Sequence, residues 1–210
     1  MDNIYIKKFS LRFIAYLIIV LCFSWILPIA IAIAIWVRFD PGFPMVVNVI
    51  LDIALVAIIL YWTYLLFEIL PYKRSKKLVQ KFKEGGFPFS YCLEYKHDYW
   101  IVDEENGRLA VVAVKNPFKI QVIDASYIDG VTIHPNLNAP ARKQYEEIGL
   151  EIQICGKKYL AYTYNGRGYR STFAIPANSE EAEMCLRSAH ELGIYIMKAK
   201  EVAVRNKNHG

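Results

Sequence analysis

The chain has 210 residues, a net charge of +5 at pH 7 and a hydrophobic fraction of 55%. The basic excess lies before residue 86, where ten Lys or Arg stand against five Asp or Glu, which argues against a uniformly basic nucleic-acid-binding domain. The histidines and cysteines occur in no spacing typical of a metal site, and the sequence contains no P-loop, nucleophile elbow or dinucleotide-binding motif. The sequence therefore predicts a non-enzymatic protein without a cofactor or metal ion.

Two apolar stretches near the N-terminus, residues 13–37 and 45–70, are each long enough to cross a bilayer. A hydrocarbon core of about 30 Å requires about 20 helical residues. The sequence predicts a membrane α-helical hairpin over residues 1–71, with helices at about 13–37 and 45–70. A cleaved signal peptide fits less well, because its apolar region has only about 7 to 15 residues.

Basic residues flank the predicted hairpin unequally. Three precede the first stretch and six follow the second, while the connecting loop contains only Arg38. The positive-inside rule then places both termini in the cytoplasm. The chain is therefore predicted to be a multi-pass protein of the bacterial inner (cytoplasmic) membrane.

Four residues are candidate packing positions of this hairpin. Ala30 and Ala34 are four residues apart, a spacing of small side chains that lets another helix approach closely. Asn48 and Asp52 share a face of the second helix. Asp52 is interpreted as solvated or paired with Asn48, with a partner contact or an ion path as the alternative. Self-association of the chain through these helices is a further alternative.

A basic segment at residues 72–86 joins the hairpin to the rest of the chain. Leu78, Val79 and Phe82 share one helical face, which predicts a short interfacial helix ended by Gly85 and Gly86. Its main predicted role is a topology signal, with binding of anionic lipid headgroups as the alternative. Its six cations are Lys73, Arg74, Lys76, Lys77, Lys81 and Lys83.

The predicted soluble domain occupies residues 87–200. Short β-rich runs alternate with turn residues, which is typical of antiparallel sheet and predicts a β-barrel or sandwich of about seven strands with a C-terminal capping helix. Arg167 and Arg170 lie in a glycine-containing loop that is a candidate site for an anion or partner, although a solvated hairpin loop is the simpler interpretation. The strands are predicted at about 89–94, 99–103, 109–114, 119–123, 130–134, 149–155 and 158–164.

The C-terminal helix is predicted from a capping box formed by Asn178 and Glu181, followed by apolar residues at helical spacing. Residues 201–210 are predicted to form a basic tail that frays. The cysteines, in a reducing compartment, are predicted to be small buried residues.

The predicted strands carry a family resemblance. The segment 101–111, with Asp103 and Gly107 at its turn, followed by the apolar runs of 120–131, resembles bacterial pleckstrin-homology-like (PH-like) domains tethered to membranes. The resemblance covers residues 87–197 and implies a binding or assembly module. Lipid-binding members have a basic first hairpin loop, whereas residues 95–98 here hold one Lys and one Asp.

The resemblance implies a membrane-anchored interaction or scaffold protein whose PH-like domain binds a protein partner in an inner-membrane complex. Anionic membrane lipids are the second expected partner, a homo-oligomer is a further alternative, and nucleic acid is not expected. The alternative function rests on architecture alone. Two membrane helices before a β-rich domain resemble ligand-triggered effectors of bacterial immune systems, which oligomerise and disrupt the membrane.

Overall fold

The computed structural model describes residues 6, 11–16, 18–20, 22, 29–30, 33, 53–54, 56–58, 60–62, 64–65, 69–96, 98–113, 116–138, 143–166 and 174–209. From residue 69 onward the described residues form two antiparallel sheets and two long helices.

The predicted membrane hairpin is not supported by this structure. Among the described residues, no helix has both the length and the apolar character needed to cross a membrane. The predicted fold class, which combined that hairpin with the β domain, is therefore wrong in its membrane part, and the multi-pass inner-membrane location predicted from it is contradicted too. Of the four candidate packing positions, Ala30 is described and exposed, while Ala34, Asn48 and Asp52 lie outside the described residues.

Apolar length alone does not show what the side chains of a helix contact. In the first apolar stretch Phe13 and Val20 are buried, while Ile18, Ile19 and Ile33 are exposed. The ring of Tyr16 lies 6.2 Å from the ring of Phe118, edge to face, so this stretch contacts the β domain.

The first sheet, sheet 1, is a meander whose strands follow one another in sequence order. A 3₁₀ turn at Ala125–Tyr127 leads from its last strand to the second sheet. The strands of sheet 1 are β1 (Tyr91–Tyr95), β2 (Asp98–Asp103), β3 (Arg108–Val112) and β4 (Gln121–Asp124).

The second sheet, sheet 2, is also antiparallel and has the order β5-β6-β7, with the short β8 paired to the start of β6. The hairpin between β6 and β7 turns through Cys155 and Gly156, which have φ of 46° and 75°, as a two-residue hairpin loop requires. The strands are β5 (Ile128–Asn138), β6 (Gln144–Ile154), β7 (Lys157–Asn165) and β8 (Ile175–Pro176).

Two helices flank the sheets: α1 (Leu70–Glu84) precedes sheet 1, and α2 (Glu180–His209) follows sheet 2. Helix α2 begins one residue later than the predicted cap implies. The hydroxyl of Ser179 accepts a hydrogen bond from the Ala182 N–H at 3.2 Å, so Ser179 and not Asn178 caps the helix. The helix continues through residues 201–209, which the sequence assigned to a tail.

One core joins both sheets to α2. It contains apolar side chains from one face of each sheet and from the inner face of the helix, including Trp100, Leu109, Ile152, Leu192 and Ile196. At the turn between β2 and β3, Gly107 lies so close to α2 that a Cβ there would be 2.6 Å from the backbone nitrogen of Ala203. Helix α2 is therefore fixed against both sheets.

The edges of the two sheets also meet directly. The Tyr95 hydroxyl, at the end of β1, donates a hydrogen bond to the Asn165 carbonyl oxygen, at the end of β7, at 3.2 Å. The Lys96 ammonium donates to the same oxygen at 2.7 Å. These bonds close one side of the β domain.

Candidate interaction surface

Sheet 1 carries a second apolar layer on its outer face. Tyr99 and Ile101 of β2 and Ala110 and Val112 of β3 form a buried cluster there. The apolar face of α1 packs against this cluster through Leu78, Val79 and Phe82. The sequence correctly identified the three residues that share a face, but protein covers that face, so the prediction of an interfacial helix is wrong.

An aromatic group fixes the C-terminal end of α1 to the sheet. The rings of Phe82 and Phe87 stack with centroids 4.3 Å apart, and the Phe89 ring meets that of Phe87 edge to face at 6.2 Å. Gly85 ends the helix by donating a hydrogen bond to the Lys81 carbonyl at 2.9 Å. The chain then turns back, which brings Phe87 and Phe89 against the same side of the sheet.

An ion pair between the buried Asp103 and the partly exposed Arg108 supports this aromatic group from the sheet side. The Arg108 side chain donates to a carboxylate oxygen of Asp103 at 2.7 and 2.9 Å, and the Asp103 side chain is fully buried. The same guanidinium lies 4.6 Å from the centre of the Phe87 ring. Charge and aromatic face attract at this distance, so the turn between β2 and β3 is tied to the end of α1.

With its apolar face covered, α1 presents its cations to solvent. All six are exposed. Lys73, Lys77 and Lys81 follow one another at intervals of four residues and form a line along the outermost side of the helix, which we call the basic ridge. The 15 residues of α1 give the helix a length of about 22 Å.

The other three cations lie beside the ridge and rest on aromatic rings. Arg74 lies 4.7 Å from the centre of the Phe118 ring, and Lys83 lies 5.8 Å from that of Phe89. Lys76 lies 5.7 Å from the ring of Tyr72. Within the described residues, none of the six forms an ion pair with a carboxylate, so their charge is available to a partner.

The outer face of sheet 1 next to α1 carries a thiol and a phenol with raised pKa values. Partial burial of the thiol and the Glu94 carboxylate together raise the pKa of Cys92 to about 11, although the Lys83 ammonium opposes the rise. Burial and a 2.7 Å hydrogen bond to Glu94 hold the pKa of Tyr99 well above its usual value. Both groups stay protonated at neutral pH, so neither is an activated nucleophile.

The other predicted site residues are not brought together with the ridge. Arg167 and Arg170 lie outside the described residues. His134 lies on β5 and His190 on α2, and the part of the chain that the structure describes contains no group of three His, Cys, Asp or Glu side chains able to hold a metal ion. Cys92 and Cys155 are exposed and Cys185 is partly exposed, so the prediction of buried cysteines is wrong.

Sequence reasoning missed the packing of α1 on sheet 1, although a signal was present. Residues 99–102 and 109–113 are nearly continuous apolar runs, and such runs are typical of strands buried on both faces. One face of sheet 1 meets α2 and sheet 2, so an element had to cover the other face. The apolar side of the basic segment is that element.

Comparison of the chain with protein-family models, with curated proteins and with solved structures finds no match.

Proposed function

We propose that this protein is a non-catalytic interaction module whose basic ridge binds an acidic segment of a protein partner. The observation that carries the proposal is the line of exposed lysines on a helix whose opposite face is packed on a sheet. A rigid helix presents its charges at fixed spacing, which lowers the entropy lost when a partner binds.

The charge of α1 supports an acidic partner. Lysines at i, i+4 repel one another in the free helix, and packing of the apolar face on sheet 1 offsets that repulsion. A carboxylate-rich segment placed along the ridge would relieve it, and opposite charges also accelerate association.

The covered apolar face favours a protein partner over a lipid layer. An interfacial helix binds a membrane by inserting its apolar face among the acyl chains. Leu78, Val79 and Phe82 are engaged by sheet 1, so this face is not available for insertion. Phe87 and Phe89 belong to the same packed group.

We also propose that residues 91–209 are a PH-like domain. The supporting features are a four-stranded meander, a second antiparallel meander, and a final helix that packs into the core between them. A fold of this plan hosts many functions, so it supports a binding role only by analogy. The effector alternative requires membrane helices, and no observation among the described residues favours it.

The test compares a ridge variant with a matched control. The ridge variant changes Lys73, Lys77 and Lys81 together to Glu in the full chain. The control variant changes three exposed lysines outside α1 to Glu, namely Lys119, Lys143 and Lys157. Binding of fluorescent poly-L-glutamate is measured at two salt concentrations. We expect the ridge variant to lose about tenfold or more in affinity, and the control to lose much less.

Three outcomes would contradict the proposal. Equal losses in the two triple variants would show that net charge alone attracts the polyanion. Unchanged binding by the ridge variant would remove the ridge as the site. Binding of anionic phosphatidylglycerol vesicles that exceeds binding of poly-L-glutamate, and that depends on the same three lysines, would assign the ridge to lipid headgroups instead.

A further inference from the structure

Helix α2 has an exposed face that takes no part in the core. Residues at alternating spacings of three and four lie along it and are all exposed, so they form one continuous stripe. We call this the α2 seam. Its members are Glu183, Arg187, His190, Ile194, Met197, Glu201, Val204 and Asn208.

The α2 seam contains three exposed apolar residues. Ile194, Met197 and Val204 are 42%, 36% and 39% exposed, although removal of apolar side chains of this size from water is favourable. A shallow groove of about 410 Å³ lies along the C-terminal part of the seam and includes Met197 and Val204 in its lining. The described residues place no other element over it.

The charges of the seam, together with Arg205 beside it, are arranged symmetrically about Ile194. Arg187 and Glu201 lie seven residues before and after it, and Glu183 and Arg205 lie eleven residues before and after it. Seven and eleven residues are close to two and three helical turns, so all five side chains share one face. Each acid has a base at the mirror position.

We propose that α2 pairs with α2 of a second copy of this chain, antiparallel, about a two-fold axis at Ile194. In this register the two Ile194 side chains meet at the axis. Arg187 of each copy then faces Glu201 of the other, and Glu183 faces Arg205. The proposal does not rest on the proposed function, because it involves no residue of α1.

The direction of pairing follows from the charges. A parallel pair in register would place Glu183 of one chain beside Glu183 of the other, and Arg187 beside Arg187. Like charges would then repel at every charged position. The antiparallel pair opposes unlike charges at all four positions on each helix. Glu183 and Arg187 already form an ion pair within one helix at 3.1 Å, so antiparallel association joins this pair to Glu201 and Arg205 in a four-charge network.

A two-fold interface uses the same patch on both copies, as this register requires. Ile194 lies at the axis and Met197 lies next to it, where water is most completely excluded, and the charged pairs lie outside these two residues. Val204 lies farther out, between Glu201 and Arg205. This arrangement of an apolar centre and a polar rim is typical of protein interfaces.

The test measures the dimer dissociation constant of the full chain by sedimentation equilibrium. We expect Ile194→Glu and Arg187→Glu each to weaken the dimer about tenfold or more. The swap Arg187→Glu with Glu201→Arg restores the opposition of charges across the axis. We expect it to recover the dissociation constant to within about threefold of the starting chain. Far-UV circular dichroism verifies that each variant remains folded.

The apolar N-terminal stretches provide a competing route to self-association, and the variants separate the two routes. If those stretches hold copies together, Ile194→Glu leaves the assembly intact, which overturns the proposal. A chain that is monomeric at about 100 μM overturns it as well, since a specific interface of this kind binds more tightly than that. Failure of the charge swap to rescue Arg187→Glu contradicts the antiparallel register.

A cross-linking experiment tests the axis directly. In Ile194→Cys the introduced thiols of the two copies meet at the two-fold axis, so mild oxidation is expected to give a disulfide-linked dimer. Asn206→Cys is the control, because Asn206 is exposed on a different side of α2. Equal cross-linking of the two variants would overturn the proposed axis.

Discussion

The two helices of this domain both bury an apolar face, but they present different charge patterns to solvent. Helix α1 exposes six cations and one acid, Glu84. Helix α2 exposes two acids and two bases at positions symmetric about Ile194, namely Glu183, Arg187, Glu201 and Arg205. A surface of one sign repels its own copy and matches an acidic partner, whereas a surface of balanced and symmetric sign can match itself. The two proposed partners, an acidic segment for α1 and a second copy of the chain for α2, follow from this difference in charge.

The helices also differ in what they hold together. Helix α2 lies in the core shared by both sheets, so its inner side chains stabilise the whole domain. Helix α1 covers only the outer face of sheet 1. Disruption of α2 packing should therefore unfold the domain, while disruption of α1 packing should release one helix. Four predictions test this difference, from the largest expected effect to the smallest.

Ile196→Ala removes a fully buried side chain of α2 from the shared core. We expect the free energy of unfolding to fall by about 2–5 kcal/mol, because the core loses apolar contacts and retains part of the cavity. Urea denaturation gives the value. The control is Met184→Ala on the same helix, where the side chain is 60% exposed. A similar loss in both variants would contradict the central position of α2.

Gly107→Ala tests the contact of α2 with sheet 1. Gly107 has φ of 67°, and a Cβ there would lie 2.6 Å from the backbone nitrogen of Ala203. We expect a loss of about 2–4 kcal/mol in the free energy of unfolding, from backbone strain and from the displaced helix. Gly156→Ala separates the two causes, because Gly156 has a φ of 75° and nothing within 4 Å of the added methyl group. If Gly156→Ala lowered the free energy of unfolding equally, backbone strain alone would explain the loss and the contact of Gly107 with α2 would contribute nothing.

Phe82→Ala removes the ring that links α1 to Phe87 and Phe89. We expect the free energy of unfolding of α1 to fall by about 1–3 kcal/mol, which is less than for a fully buried Phe. The effect should be confined to α1. Amide hydrogen exchange should accelerate in residues 70–84 and remain slow in β6 and α2. The exposed Gln80→Ala on the same helix is the control. Global acceleration of exchange in Phe82→Ala would show that α1 belongs to the main folding unit.

Titration of Cys92 reports on the same contact with the smallest perturbation. Because its pKa is raised to about 11, the thiolate fraction and the alkylation rate should keep rising with pH up to about 11. Lys83→Gln removes the cation that opposes the rise, so the pKa should increase further, and Glu94→Gln should lower it. Iodoacetamide labelling with mass spectrometry gives the rates. No effect of Lys83→Gln would mean that the end of α1 does not lie near Cys92 in solution.

Much of the β domain could be predicted from local patterns. Alternation and turn residues placed most of the strands within a few residues of those found, because side-chain direction in a strand repeats every two residues. Gly107 was identified as a turn position, and it has a positive φ. The cap of α2 was placed one residue early, since Asn178 and Ser179 are both good capping residues and only the hydrogen bonds distinguish them.

The errors have a common cause in long-range packing. The face formed by Leu78, Val79 and Phe82 could be identified from its spacing, but the spacing does not show whether lipid or a sheet covers it. In the first apolar stretch Phe13 and Val20 are buried and Ile18 and Ile19 are exposed, a difference that residue type alone does not show. Hydrophobicity measures the tendency of a side chain to leave water, and it does not specify whether protein or lipid replaces the water.

The sequence by itself determined the strands, the turns, the two amphipathic helices and the concentration of positive charge before residue 86. These depend on residue type and on spacings shorter than one turn or one hairpin. Only the tertiary structure decided that α1 packs on the outer face of sheet 1, that its lysines form one exposed ridge, and that the symmetric charges of α2 remain uncovered among the described residues. Those outcomes depend on contacts between residues distant in sequence, which no local pattern specifies.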